Sequence, residues 1–189
     1  MKLIWAGSYG STTVDQICEQ AGVKKGTFYY FFESKSDLAL AAIEGGWLNR
    51  KQSLDAIFSP TVAPLEKIRL YCEESYQMQS ALKKQCGRVL GCPLFNLGAE
   101  ICSHEKKLHT KIKEILGYYH RYLESAIREA HAAGLLPAPD PAAKARMLFA
   151  YCEGLLTQAR ILNDPELLRE MFQGAAAILG VDERLLKVA

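Results

Sequence analysis

Ser11–Asp37 reads STTVDQICEQAGVKKGTFYYFFESKSD, and this stretch decides the fold. Thr12 followed by Asp15 has the form of a capping box, and Val14, Ile17, Cys18 and Ala21 recur behind it at i, i+3, i+4 and i+7. That is one face of a short helix. Gly22 can take the positive φ that ends it and turns the chain. A second helix is predicted from about Lys24 to Phe31, burying Phe28, Phe31 and Phe32 and presenting Lys25, Gly26, Thr27, Tyr29 and Tyr30 on its other side. Ser34 with Asp37 repeats the capping pattern and opens a third helix. Two helices joined by a glycine turn, with polar and aromatic groups outward on the second, form a helix-turn-helix, the unit that lays its second helix in a DNA major groove.

A recognition helix needs a start that approaches DNA closely, hydrogen-bonding side chains outward and cations for phosphates. Gly26 removes bulk at the approach. Lys25 and Tyr29 are i, i+4 neighbours, as are Gly26 and Tyr30, so the set forms one surface. The hydroxyls of Tyr29 and Tyr30 suit phosphates, their rings suit sugars or thymine methyls, and Thr27 is short enough to touch a base edge. Lys24, Lys25 and Lys35 are the candidate cations, and Thr12 and Thr13 at a helix N-terminus are candidates for a further phosphate. Each has a plainer alternative: a half-buried packing tyrosine, a solvated lysine, a threonine that only caps.

The 189 residues suffice for one large domain, or one small and one medium domain. A net charge of +2 is too small to argue for nucleic acid, and residues 1–51 carry six Lys/Arg against five Asp/Glu, so the case rests on where the lysines sit. No secretory pattern opens the chain, and no apolar run approaches the roughly 18 residues of a membrane span, so a cytoplasmic protein is expected. Six scattered cysteines then read as free, mostly buried thiols. Cys86, Cys92 and Cys102 lie around an irregular segment beside Lys83, Lys84 and Arg88, which leaves redox sensing open next to an inert role. Cys102, His104 and His109 fit no structural zinc spacing, and no metal site is expected.

Helical periodicity dominates the rest, without strand alternation. Helices are predicted from Lys35 towards Ile57, Pro64 to about Lys84, Leu94 to Ile101, Ser103-x-Glu105 to about Ala133, Pro141 to Leu162, and from Asn163-Asp164-Pro165 to about Leu179. The expected division is residues 1–46 and 47–189, near Gly45-Gly46, inside a continuous helix.

The run from Thr12 to Leu38 resembles the DNA-binding motif of the tetracycline-repressor (TetR) family of bacterial regulators. The match is close to continuous over residues 8–43 and includes K-G-T-F-Y-Y-F-F and S-K-x-D-L. Gly91–Glu100, GCPLFNLGAE, is similar to a segment found in some subgroups. The resemblance implies an all-α chain: a three-helix DNA-binding domain, then a larger helical domain for ligand binding and dimerisation. It also implies a homodimer through the last two long helices, operator DNA as partner, and an unknown small-molecule effector. Members usually carry a full first helix; only Met1 to about Ala6 precede the turn Gly7–Gly10 here, so either the sequence begins late, through truncation or a misassigned start, or the DNA-binding unit is incomplete, and basic residues missing ahead of Met1 would remove phosphate contacts.

Within the implied effector domain, an aromatic and polar lining is expected from Tyr71, Tyr76, Met78 and Phe95, with Asn96, Tyr118, Tyr122 and Tyr151. Ordinary core packing is the alternative for each. Met147, Leu148, Tyr151, Leu155 and Leu156 give one helix a broad apolar face, as Leu168, Met171, Phe172, Ala175, Ala176 and Leu179 do for the last. Periodicity cannot separate a dimer interface from the domain's own core. No phosphate loop, dinucleotide fingerprint, nucleophile elbow or His-Glu-x-x-His occurs, so neither an enzyme nor a cofactor is expected. The expected function is a ligand-responsive repressor binding a near-palindromic operator as a dimer. The alternative is a helical ligand-binding or adaptor protein that has lost DNA binding.

Overall fold

Thr13, not Thr12, starts the first helix of the motif. Its hydroxyl accepts the Gln16 N–H at 3.2 Å while the Gln16 side chain accepts the Thr13 N–H at 2.8 Å, closing the box that begins α1, Val14–Ala21. Thr12 is turned inward, 6% exposed, its hydroxyl donating to the Ser8 carbonyl at 2.6 Å. Gly22 ends α1 at φ 67°, and its N–H and that of Val23 close on the carbonyls of Glu19 and Cys18 at 3.1 and 3.0 Å. After α2, Lys25–Phe31, the Ser34 hydroxyl accepts the Asp37 N–H at 3.1 Å and starts α3, Lys35–Ile57, as expected.

A computed structural model of the chain describes residues 5, 7–101 and 105–181. Cys102, Ser103 and His104 lie outside the described residues, as does the expected first helix apart from Trp5. The later elements are α4, Pro64–Cys86; α5, Pro93–Ile101; α6, Lys106–Ala132; α7, Pro141–Leu162; and α8, Met171–Leu179. Every regular element among the described residues is a helix. Their ends follow local chemistry. Asp140 accepts the Ala143 N–H at 2.9 Å ahead of Pro141, and Asn163 takes the left-handed turn after α7 at φ 51°. The Asn163 side chain also accepts the Val89 N–H at 2.8 Å and donates to the Gly87 carbonyl at 3.1 Å.

The last helix is not continuous. Pro165–Leu168 is a single 3₁₀ turn, and the α-helix begins again at Met171. Three residues per turn bring Pro165, Leu168 and Met171 onto one side, and all three are buried. An α-helical start would rotate them apart.

The chain divides into two compact units, residues 1–50 with 93–115, and residues 51–92 with 116–189. The first unit buries Tyr9, Cys18, Phe28, Ala39 and Ile43 from the motif segment, and Leu97, Leu108, Ile112 and Ile115 from α5 and α6. Residues 93–115, counted from sequence with the larger domain, thus cluster with the motif. Lys107 pairs with Asp37 at 3.2 Å and Lys111 with Glu44 at 3.2 Å within that unit.

The second unit is built on Ile68, Tyr71, Leu123, Ile127, Leu148 and Met171. Lys67 is 1% exposed and paired with the half-exposed Glu129, which also accepts from Ser125. Glu129→Ala leaves that ammonium buried without its counter-ion and should cost about 2 kcal/mol, whereas Lys67→Met should be about neutral. Denaturant melts of the two variants check this asymmetry. Of the residues expected at a dimer face, Leu148, Leu156, Leu168, Met171, Ala175, Ala176 and Leu179 are buried within the protomer itself. Met147 remains exposed, and Tyr151, Leu155 and Phe172 are half-buried. The outer side of α7 carries Met147, Ala150, Gly154 and Ile161, all exposed and at helical spacing.

Candidate nucleic-acid interface

Two turns of helix separate an inward side of α2 from an outward one. Phe28 is the inward anchor, and Phe32, extended just past the helix end, brings its ring to 5.9 Å from Phe28. Phe31 was expected beside them and is 68% exposed, its ring edge-to-face with Tyr30 at 4.9 Å. The change to extended backbone at Phe32 explains the exchange: it turns Phe32 under the helix and leaves Phe31 on the outer rim. Tyr30 is 83% exposed, and Gly26, Thr27 and Tyr29 are exposed with it. A Cβ added at Gly26 would meet nothing within 4 Å. The outward set is therefore Gly26, Thr27, Tyr29, Tyr30 and the unforeseen Phe31.

The cations divide by role. Lys25 pairs with Asp15 of α1 at 2.8 Å, and hydrogen bonding to that carboxylate raises its pKa. Both side chains are exposed, so the pair adds little stability in water. Lys24 is exposed at the N-cap of α2 and makes no side-chain capping bond. Lys35, expected at a phosphate, is half-buried. Its ammonium donates to the carbonyls of Tyr9 and Thr12 at 2.8 and 2.9 Å and lies 4.2 Å from the Tyr9 ring centroid. It ties the start of α3 to the turn before α1. Thr13 is exposed, while Thr12 is buried behind it.

That turn, residues 8–12, is held from a distant part of the chain. Glu100, at the end of α5, accepts from the Ser8 hydroxyl at 2.6 Å, the Tyr9 N–H at 2.9 Å and the Gly10 N–H at 2.5 Å. Burial pushes the Glu100 pKa up, but the hydrogen bonds from Ser8, Gly10 and Tyr9 outweigh it and leave the carboxyl below its ordinary value. The Tyr9 hydroxyl donates to Glu105 at 3.0 Å, and burial, then Glu105, raise its pKa to about 12. No motif or spacing joins position 100 to positions 8–10; only tertiary structure does.

The expected effector lining is dispersed. Tyr71 and Tyr122 both flank Phe58, with ring centroids 6.1 and 5.2 Å from it, and the Tyr122 hydroxyl donates to Asp55. Burial, then Asp55, raise the Tyr122 pKa to about 12. Tyr76 is half-buried: its hydroxyl donates to Glu166 at 3.0 Å and Arg169 covers its ring at 4.6 Å. Tyr118 is covered by Arg121 at 4.5 Å, and the Tyr151 hydroxyl packs directly over Gly174 of α8. Met78 is half-buried. Phe95 and Asn96 are half-buried and belong to the first unit, the tyrosines to the second. Among the thiols, Cys86 is exposed and donates to the Leu82 carbonyl at 3.1 Å. Cys152 is buried with its pKa raised by Cys72 and by burial, the state of an unreactive thiol. No helix among the described residues is long and apolar enough to cross a membrane.

Comparison with known proteins bears on both halves of the chain. Residues 1–42 match the family model of bacterial regulatory proteins, tetR family, and residues 64–175 match that of the tetracyclin repressor-like C-terminal domain. The transcriptional regulator AcuR of Cereibacter sphaeroides is 32% identical over 160 residues, 84% of this chain and 71% of that protein. The HTH-type transcriptional repressor NemR of Escherichia coli is 26% identical over 153 residues, 78% of this chain and 73% of that protein. The crystal structure of regulatory protein TetR from Rhodobacter sphaeroides superimposes with a TM-score of 0.81 at 29% identity, covering 94% of this chain and 93% of that one. A single family thus accounts for the outward face of α2 and for the helices that follow it, and the chain belongs to the TetR family of DNA-binding transcriptional regulators.

Proposed function

We propose that the protein is a cytoplasmic repressor that binds a near-palindromic operator as a homodimer and leaves it when a small molecule binds. The exposed face of α2 carries this reading. Gly26 admits close approach, Thr27 reaches base edges, and Tyr29, Tyr30 and Phe31 supply hydroxyls and rings for phosphate, sugar and thymine methyl. Lys24 serves a phosphate directly, and Lys25 exchanges Asp15 for one. Thr13 adds a contact at the start of α1, while Thr12 and Lys35 position the head from within. Repression is favoured by the likeness to a protein named a repressor.

The second copy docks on the outer side of α7 and on α8. Gly154 has open space where a Cβ would stand, so a partner backbone can come close beside Met147, Ala150 and Ile161. The two recognition helices then enter successive major grooves about one helical turn apart or slightly more. The effector is apolar or aromatic and is received in the second unit, with the Tyr71–Phe58–Tyr122 cluster as its aromatic part.

Selection of duplexes from a random library by the full-length protein tests the reading. The expected result is one enriched near-palindrome, bound by two protomers, with affinity falling steeply as salt rises. Failure to enrich any sequence would overturn it in favour of a helical protein that no longer reads DNA.

A further inference from the structure

The three hydrogen bonds on Glu100 join stretches that belong to different family models. Glu100 lies within 64–175, and Ser8, Tyr9 and Gly10 lie within 1–42, yet all four belong to one compact unit. We propose that Glu100 is a positioning residue that sets the geometry of the turn on which the DNA-reading helices are mounted; this rests on the regulator reading above. The carboxylate takes two consecutive backbone N–H groups and one hydroxyl, which fixes both the place and the orientation of the turn. A Cβ on Gly10 would stand 2.9 Å from the Glu100 Oε1, so the turn has a glycine where the carboxylate must come close.

Thr12 and Lys35 are both tied to this turn. Its Ser8 carbonyl holds Thr12, the neighbour of the residue that caps α1, and the carbonyls of Tyr9 and Thr12 hold Lys35 at the start of α3. Phe28 anchors α2 in the same unit, its ring 5.9 Å from that of Phe32. Releasing Glu100 therefore loosens the frame that carries α2 while leaving the outward residues of α2 in place.

The test compares wild type, Glu100→Ala and Glu100→Gln on the duplex enriched by the wild type and on versions with one base pair added or removed between half-sites. Glu100→Ala should bind the parent duplex roughly tenfold to a hundredfold more weakly and discriminate less between spacings. Glu100→Gln keeps an oxygen for Ser8 and Gly10 and should recover much of both. The Gly10 amide proton, read by NMR in glycine-labelled protein, should move upfield in the alanine variant as its carboxylate partner is lost. Wild-type affinity and spacing discrimination in both variants would overturn the role of Glu100 while leaving the regulator reading intact. A wild type that enriches no duplex would instead overturn the regulator reading, and this role with it.

Discussion

Operator affinity is expected to fall about a hundredfold when Tyr30 and Phe31 are replaced together by alanine, with the melting temperature almost unchanged. Both side chains stand on the rim of α2 in the protomer, so their removal creates no cavity, and surface changes of this kind stay within about 0.5 kcal/mol of stability. Each protomer loses a hydroxyl contact and two ring contacts, and a dimer loses them twice; about 1.4 kcal/mol per protomer is enough for the hundredfold. Neutral rings carry no counter-ion, so the salt dependence should stay as in the wild type. Lys24→Ala should behave differently, weakening all duplexes alike and flattening the salt slope by about one unit per head. Fluorescence anisotropy across a salt series measures all of this. Wild-type binding by the Tyr30/Phe31 variant would remove this face from the interface.

Gly154→Glu should yield a folded monomer that has lost roughly a thousandfold in operator affinity, because each head then binds without its tethered twin. The position is open in the protomer and flanked by exposed Met147, Ala150 and Ile161, so the new carboxylate reaches water in the monomer and is buried only against a second copy. Sedimentation velocity reads the mass, and circular dichroism confirms that the helices persist. A variant that still sediments as a dimer would place the interface elsewhere. Leu148, Leu156 and Met171 make poorer probes, because they belong to the protomer's own core and their truncation unfolds rather than separates.

Lys35 shows why burial must be known before a mutation is interpreted. Its ammonium already holds two carbonyls and covers the Tyr9 ring, so Lys35→Ala is expected to lower stability along with affinity. On sequence alone, the same substitution would have been taken as the loss of a phosphate contact.

The amino-acid sequence by itself determined where most helices begin and end, and so the helix-turn-helix. Gly22, Ser34 with Asp37, Asp140 before Pro141, and Asn163 set helix ends through hydrogen bonds to backbone a few residues away, which makes those ends readable from the local sequence. It also determined the outward set Gly26, Thr27, Tyr29 and Tyr30, because helical spacing puts them opposite Phe28. Only the folded structure showed that Phe31 stands outward while Phe32 packs against Phe28, that Lys35 is a tie, and that the last helix opens with a 3₁₀ turn under Pro165, Leu168 and Met171. It also decided which apolar face of α7 the protomer keeps for itself, and it brought Glu100 to Tyr9. Periodicity names a face but not its partner, and the partner comes from segments distant in the chain.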